Sequence, residues 1–417
     1  MRINLQSFYP EHLSIELNRS KSLYIRFLIA YFLKKGTILP VGRDEAEDIG
    51  IVAQALQQIR DAVPQNIPCP VYVKDCGAAW RFLTALLSVT QGTWRLYGSE
   101  RLMQRPITSL ISALQSIGAE IEQKSEGLWI QGKALSAKEM TINAAESSQF
   151  VSALLLIASK TGLQKLHIIP DNPPSFPYIE MTKKVMERIE NETIPFSIDE
   201  IEADWSSAAF WYAIAILRDT EIYFKNLHLS SLQGDSILAK WANYWNIESC
   251  QENHGVKIRR VSSTSSSMMP QVIDFSNFPD LAPIIMVLSL LTNQEFIFSG
   301  VQNLNLKESK RKEVMLQELA PFADFEMLDD NTFKMRNIRI PKGKTLSFSS
   351  HKDHRLIMAF TLFALYNIVE IDDAEAVRKS YPEFFDQLIR ISKNNLVLPN
   401  GQKGWLNVAT KQEYINL

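Results

Sequence analysis

Asp204-Trp205-Ser206-Ser207-Ala208-Ala209-Phe210-Trp211-Tyr212-Ala213-Ile214-Ala215-Ile216-Leu217 is the stretch from which the fold can be read. It starts polar, turns through small residues, then runs apolar for the length of a helix. Nearly every face of that helix is apolar, so it belongs in a core rather than on a surface. Five other segments share the pattern: Ser20-Lys21-Ser22 to Leu33, Asp75-Cys76-Gly77 to Val89, Glu146-Ser147-Ser148-Gln149 to Ser159, Phe278-Pro279-Asp280 to Leu291, and His351-Lys352-Asp353-His354-Arg355 to Leu365. Their starts lie roughly 55 to 75 residues apart, the spacing of a repeated supersecondary unit.

Most of these runs are followed by a second, amphipathic segment with apolar residues at i, i+3, i+4: Ile107 to Ile117, Tyr178 to Ile189, Asp235 to Trp245, Val314 to Leu319 and Glu383 to Ile391. Short alternating or β-branched runs lie between, at Leu128 to Gln131, Lys165 to Ile169, Glu221 to Phe224 and Glu295 to Ser299, and predict strands. Six mixed strand and helix units, three per half, predict an α/β protein of two similar domains with buried first helices. The halves divide near Ile201 to Ala203, and Asn395 to Leu417 carries no repeat and reads as an appended tail.

Composition fits two domains and narrows the function. The chain has 417 residues, 46% apolar, with a net charge of -2. No overall basic field draws nucleic acid. The longest apolar stretches, such as Ala282 to Leu291, fall short of the roughly 20 residues that span a bilayer. The Met1-Arg2-Ile3-Asn4 start has no signal-peptide pattern, and Cys69, Cys76 and Cys250 form neither a disulfide framework nor a zinc spacing. A cytoplasmic monomer is the expectation.

The starts of the apolar runs carry the chemistry. A helix N-terminus offers unpaired N–H groups and a partial positive charge. Serine and aspartate there are ordinary caps, the reading that suits Asp204 and Ser206. Lys21, Arg81 and Arg355 are different, because a cation at a helix N-terminus opposes the dipole unless an anion lies against both. Several such cations in one chain point to a phosphate-rich ligand.

Nine strings then align in order with one family. Ser20-Lys21-Ser22 with Arg26 resembles SKS-x-x-x-R, Asp75-Cys76-Gly77-Ala78-Ala79-Trp80-Arg81 resembles NAGTAMR, and Arg101-Leu102-Met103-Gln104-Arg105-Pro106-Ile107 resembles RMxxRPI. Ser147-Ser148-Gln149 matches SSQ, and Ser175-Phe176-Pro177-Tyr178-Ile179-Glu180-Met181-Thr182 is similar to SxPYIDMT. In the second half Pro279-Asp280 matches IPDAA, Leu306-Lys307-Glu308-Ser309-Lys310-Arg311 resembles VKETDR, Lys352-Asp353-His354-Arg355 resembles NDHR, and Lys379-Ser380-Tyr381-Pro382-Glu383-Phe384-Phe385 resembles KTFPDYF. From about Ser14 to Ser392 the chain resembles the enolpyruvyl transferases, and among them the EPSP synthases.

The resemblance implies a two-domain inverse α/β barrel. Its first strand would join the C-terminal half, giving domains of 1–19 plus 203–393 and of 20–202, with 394–417 appended. It implies transfer of the enolpyruvyl group of phosphoenolpyruvate to the 5-hydroxyl of shikimate-3-phosphate by addition and elimination, with phosphate released and no cofactor or metal. The matching positions imply Asp280, Glu308, Lys21 and Lys379 as acid–base residues. Lys21, Gly77, Arg105, Gln149, Arg311, Arg355 and Lys379 would bind phosphoenolpyruvate. Lys21, Ser22, Arg26, Ser147, Ser148, Gln149, Ser175, Tyr178, Asp280, Asn303 and Lys307 would bind shikimate-3-phosphate. Closure on shikimate-3-phosphate alone is a further expectation.

Departures from the family strings are Asn18-Arg19 for Pro-Gly, Asp75 for Asn, Ala78 for Thr, and Asn305 and Lys310 beside Glu308. They describe a divergent member and leave a second reading, a non-catalytic homologue that binds shikimate phosphate or a phosphosugar. A third reading, a transferase acting on UDP-N-acetylglucosamine, would need a loop cysteine that none of the three supplies.

Overall fold

A computed structural model describes residues 1–62, 68–191, 196–262 and 272–392, together with the backbone of Trp405–Leu406 and Tyr414–Ile415. The expected tail, 394–417, otherwise lies outside the described residues. The chain divides into two compact units, Ser20–Ile201 and Met1–Arg19 with Glu202–Leu417. These are called here the N-terminal and the C-terminal unit.

The six apolar runs form six helices: α1 (Lys21–Lys35), α2 (Gly77–Ser88), α3 (Ser148–Leu156), α4 (Trp205–Arg218), α5 (Ala282–Leu291) and α6 (His354–Thr361). Every residue of α5 and of α6 is buried, as is α4 from Trp205 to Ile216. Burial of one Leu or Ile side chain stabilises by about 1.5–3 kcal/mol, so helices apolar on all sides settle at the centre. Five of the six are capped by the preceding side chain: Ser20, Cys76, Ser147, Asp204 and Asp353 each accept a hydrogen bond from a first-turn amide. Helix α5 begins instead with Pro283 in its first turn, and Asp280 is not its cap.

Sheets cover these helices. In the N-terminal unit Cys69–Tyr72, Gly92–Tyr97, Gly127–Gly132 and Glu120–Lys124 lie in that spatial order, parallel at the first pair and antiparallel thereafter. Glu139–Asn143 and Lys165–Ile169 form a separate parallel pair. Among the described residues the C-terminal unit holds two four-stranded sheets, one three-stranded sheet and the two-stranded pair of Trp405–Leu406 with Tyr414–Ile415. Strands such as Glu139–Asn143 and Thr332–Arg336 alternate buried and more open positions, the pattern of a sheet with one face inward. The first residues of the chain complete the C-terminal unit: Arg2–Asn4 pairs antiparallel with Ile368–Ile371, and His12–Glu16 pairs parallel with Glu221–Lys225. That pairing explains why Met1–Arg19 groups with residues two hundred positions away.

Two expectations need correction. Asp235 to Trp245 is helical throughout but not a regular α-helix: tighter three-residue turns at Gly234–Ile237 and Ala242–Trp245 flank one α turn at Leu238–Trp241, and Asn246 in the left-handed region ends it. Three-residue turns dominate where Trp241 and Trp245 must both reach aromatic neighbours, Phe275 and Phe296. The strand expected from Glu295 is shorter, Ile297–Ser299, although the Phe296 carbonyl still accepts from the Met335 amide. No described helix is long and apolar enough to cross a membrane.

Candidate active site

In the C-terminal unit the functional residues converge on Arg311. This residue opens the helix Arg311–Leu319, and its side chain is 0% exposed. Its guanidinium has five N–H donors, and five acceptors meet them. Nε donates to Asp353 Oδ2 at 3.0 Å and Nη2 to Asp353 Oδ1 at 3.2 Å. Nη1 donates to Asp280 Oδ1 at 3.1 Å and to the Pro279 carbonyl at 3.2 Å, and Nη2 also reaches Glu308 Oε2 at 3.0 Å. Burial alone would lower its pKa, but Asp353, Asp280 and Glu308 raise it well above the usual value.

Asp280 is shared between two guanidiniums, Arg311 and Arg355, the latter at 3.5 Å from Oδ2. Burial would raise its pKa. Arg355, Lys307 and Arg311 outweigh burial and hold the carboxyl well below the usual range, so it is ionised. Glu308 is only 15% exposed and lies between Arg311 and the Lys379 ammonium, 4.0 Å from Oε1. The commonplace readings, a helix cap for Asp280 and a surface pair for Glu308, are excluded by these contacts. Asn303 and Lys307 lie on either side of the same turn, in and just after Gln302–Leu306, both half-buried.

Two further carboxylates here escaped the sequence reading. Asp353, one letter of a family-like string in sequence, is fully buried and holds Arg311, the Ser309 hydroxyl and the first turn of α6. Asp235, the first residue of an amphipathic segment in sequence, is buried, accepts the Ser206 hydroxyl and leaves Oδ1 with no hydrogen-bond partner among the described residues. Burial and the neighbouring Asp280 push it up to about 7, opposed by Ser206 and Arg355. Ser206 is therefore not a cap, whereas Asp204 is, accepting from the Ser207 amide at 2.7 Å. The only sequence signal for either carboxylate was a position beside a helix start.

The N-terminal unit gathers cations around polar neutral groups. Lys21 stands at the first turn of α1 with Ser22, and its Nζ donates to the buried Asp48 at 3.0 Å. Arg26, one turn on, is 3% exposed. It donates to Thr182 Oγ1 at 2.7 Å, to the Ser22 carbonyl at 2.8 Å, and to Ser152 Oγ and the Tyr178 carbonyl at 3.3 and 3.4 Å. All four acceptors are neutral, and burial lowers its pKa to about 10. A buried cation answered only by neutral dipoles favours an arriving anion. Its guanidinium also lies over the Phe82 and Tyr178 rings, at 5.2 and 5.7 Å.

Around α2 and α3, Arg81 Nη1 donates to Gln149 Oε1 at 2.8 Å, while Ser147 Oγ accepts from the Gln149 amide at 3.2 Å. Ser148, beside them, is buried. Gly77 lies against two arginines: a Cβ there would stand 2.4 Å from Arg105 Nη1 and 3.2 Å from Arg81 Nη1. The absent side chain lets Arg105 reach the start of α2. Ser175 has φ of 61°, an uncommon value for a non-glycine residue, immediately before the helix Pro177–Glu190 that carries Tyr178.

The departures from the family strings sit to one side of these contacts. Asp75 accepts the Ser99 hydroxyl and lies 3.8 Å from Arg101 Nε, so Arg101 offsets its charge. Asn305 exchanges hydrogen bonds with Glu313, and Lys310, 72% exposed, pairs with the same Glu313. Cys76 caps α2 through Sγ, a structural use.

The profile of the EPSP synthase (3-phosphoshikimate 1-carboxyvinyltransferase) family matches residues 43–388. The chain is 32% identical over 398 residues to a Bacteroides fragilis protein named 3-phosphoshikimate 1-carboxyvinyltransferase, covering 90% of this chain and 94% of that one. It is 30% identical over 352 residues to a Thermococcus kodakarensis protein of the same name, covering 80% and 84%. Its fold matches the structure of an Acinetobacter baumannii EPSP synthase with a TM-score of 0.69 at 18% identity, over 94% of this chain and 98% of that one. With a profile match across most of its length and a relative 32% identical over 90% of it, the chain belongs to the EPSP synthase (3-phosphoshikimate 1-carboxyvinyltransferase) family.

Proposed function

We propose that this enzyme transfers the enolpyruvyl group of phosphoenolpyruvate to the 5-hydroxyl of shikimate-3-phosphate. The observation that carries the reading is the grouping of an ionised Asp280, a half-enclosed Glu308 and three cations, Arg311, Arg355 and Lys379, within hydrogen-bond or ion-pair reach. The reaction needs a base, an acid and fixed positive charge, and these residue types supply all three.

In this reading Asp280 takes the proton of the 5-hydroxyl as its oxygen bonds to C2 of phosphoenolpyruvate, and Glu308 gives a proton to C3. The tetrahedral adduct then breaks its bond from C2 to the phosphate oxygen. C3 returns its proton to Glu308, and the departing phosphate takes the 5-hydroxyl proton held by Asp280, leaving the new enol ether and both carboxyl groups in their starting forms. Arg311 and Arg355 offer planar forks to carboxylate and phosphate oxygens, and Lys379 beside Glu308 favours its return to the carboxylate. Lys21, Gly77, Arg105 and Gln149 are assigned to phosphoenolpyruvate from the N-terminal unit, with Lys21 a second proton carrier. Ser22, Arg26, Ser147, Ser148, Ser175 and Tyr178 are assigned to shikimate-3-phosphate, joined by Asn303 and Lys307. A monomer is the proposed working state.

The test is phosphate release with each substrate alone and with both. Release that requires both, with the enolpyruvyl product found by mass spectrometry, is expected. Tight shikimate-3-phosphate binding without release would favour the non-catalytic reading instead.

A further inference from the structure

Arg311 cannot accept a carboxylate from a substrate as it stands, because protein oxygens already occupy all five of its N–H groups. Some of those bonds must be surrendered, and the surroundings of each carboxylate differ. Asp353 and Arg311 both have side chains 0% exposed, and Asp353 grips two nitrogens of the guanidinium. Asp353 is itself fixed from two other directions, by Ser309 Oγ at 2.9 Å and by the Arg355 amide at 3.0 Å. Asp280 and Glu308 are 23% and 15% exposed and make one bond each to Arg311. Each has a second cation to fall back on, Arg355 for Asp280 and Lys379 for Glu308.

We propose that Asp353 is a positioning residue, which holds Arg311 in place while Asp280 and Glu308 give up their contacts with it to the carboxylate of phosphoenolpyruvate. The two bonds released lie on different terminal nitrogens, Nη1 and Nη2, a pair that one carboxylate can bridge. Breaking the Asp353 bonds would strand a fully buried carboxylate, whereas breaking the other two leaves each acid beside its second cation. The exchange thus couples substrate arrival to the release of both acid–base residues. Asp353 touches no substrate in this scheme and acts only through Arg311. The inference rests on the assignment of Arg311 to phosphoenolpyruvate.

The variant to make is Asp353→Asn. Asparagine caps helices about as well as aspartate, so the start of α6 is kept, but it cannot offer Arg311 two anionic oxygens. The KM for phosphoenolpyruvate should rise about tenfold or more, the KM for shikimate-3-phosphate should stay within about twofold, and kcat should fall less than the first rises. An unchanged phosphoenolpyruvate KM, or an equal rise for both substrates, overturns the proposal. Wild-type protein assayed alongside separates the two readings. Wild-type turnover with an unaffected variant sinks only the role of Asp353, and no wild-type turnover sinks the transferase reading and this inference with it. If the variant does not fold, wild-type protein serves. Its Arg311 Nε–H resonance, identified by its loss in Arg311→Lys, should stay unshifted and protected when phosphoenolpyruvate is added to the shikimate-3-phosphate complex. A shift into rapid exchange with water contradicts the proposal.

Discussion

Arg26 and Arg311 are both buried arginines near helix starts, and they are held in opposite ways. Arg26 in the N-terminal unit donates only to hydroxyls and carbonyls, so its charge is unanswered by any hydrogen-bonded anion. Arg311 in the C-terminal unit is enclosed by three carboxylates. The first arrangement has positive charge to offer to a ligand at once, and the second must exchange carboxylates of the protein for one of a ligand. Under the proposed function the difference gives phosphate binding chiefly to the N-terminal residues and proton transfer chiefly to the C-terminal ones. Residue type alone would have given the two arginines one role.

That division can be broken by substitution, starting where the effect should be greatest. Asp280→Asn should lower kcat by roughly a hundredfold to ten-thousandfold while shikimate-3-phosphate still binds, by titration calorimetry. Loss of binding with an unchanged turnover number at saturation would reverse the division. Arg26→Gln should do the opposite, raising the KM for shikimate-3-phosphate about 10- to 100-fold, as for loss of a charged hydrogen bond, with a smaller change in kcat. A thermal melt of the same variant checks that the packing of Phe82 and Tyr178 survives. Gly77→Ala is a milder intrusion, since its Cβ would displace the Arg105 guanidinium. The KM for phosphoenolpyruvate should rise about tenfold with shikimate-3-phosphate binding intact.

The smallest effect concerns stability, and its sign follows from Asp235. The native carboxyl titrates at about 7, against about 3.9 in the unfolded chain. Between those values the native protein holds a proton that the unfolded chain has released, so Asp235 costs stability as pH rises from 4 to 7. Asp235→Asn should remove this slope, matching wild type near pH 4 and exceeding it above pH 7 by roughly 2 kcal/mol or more. Asp280 has the opposite sign, since a lowered pKa contributes stability that is lost only in acid. Urea melts from pH 4 to 8 therefore isolate Asp235. A difference that does not grow with pH would mean that Asp235 is ionised throughout.

Much of the fold was legible because burial writes itself into composition. Runs such as Ala282 to Leu291 have no polar face to turn outward, and their caps precede them in sequence. The segment after Gln233 is helical as its apolar spacing suggests, but the tightening at Gly234–Ile237 and Ala242–Trp245 around one α turn is not written in that spacing. At the site, Asp280, Glu308, Arg311 and Lys379 could be found through their strings. Asp48, Asp235 and Asp353 could not, because each acts on a side chain 27 to 42 residues away in sequence: Lys21, Ser206 and Arg311. A buried acid looks like any other in a sequence until its partner is known. Conversely, Asn305 and Lys310 stood out as departures beside Glu308, yet they settle on Glu313 at the surface.

The most direct measurement pairs two readings on one variant, Glu308→Gln: phosphate release with both substrates, and shikimate-3-phosphate affinity by calorimetry. The account predicts affinity within about threefold of wild type and turnover reduced by a hundredfold or more, because the carboxyl near Lys379 would supply the C3 proton. Turnover close to wild type would contradict it, since the acid at the centre of the C-terminal cluster would then have no part in the reaction.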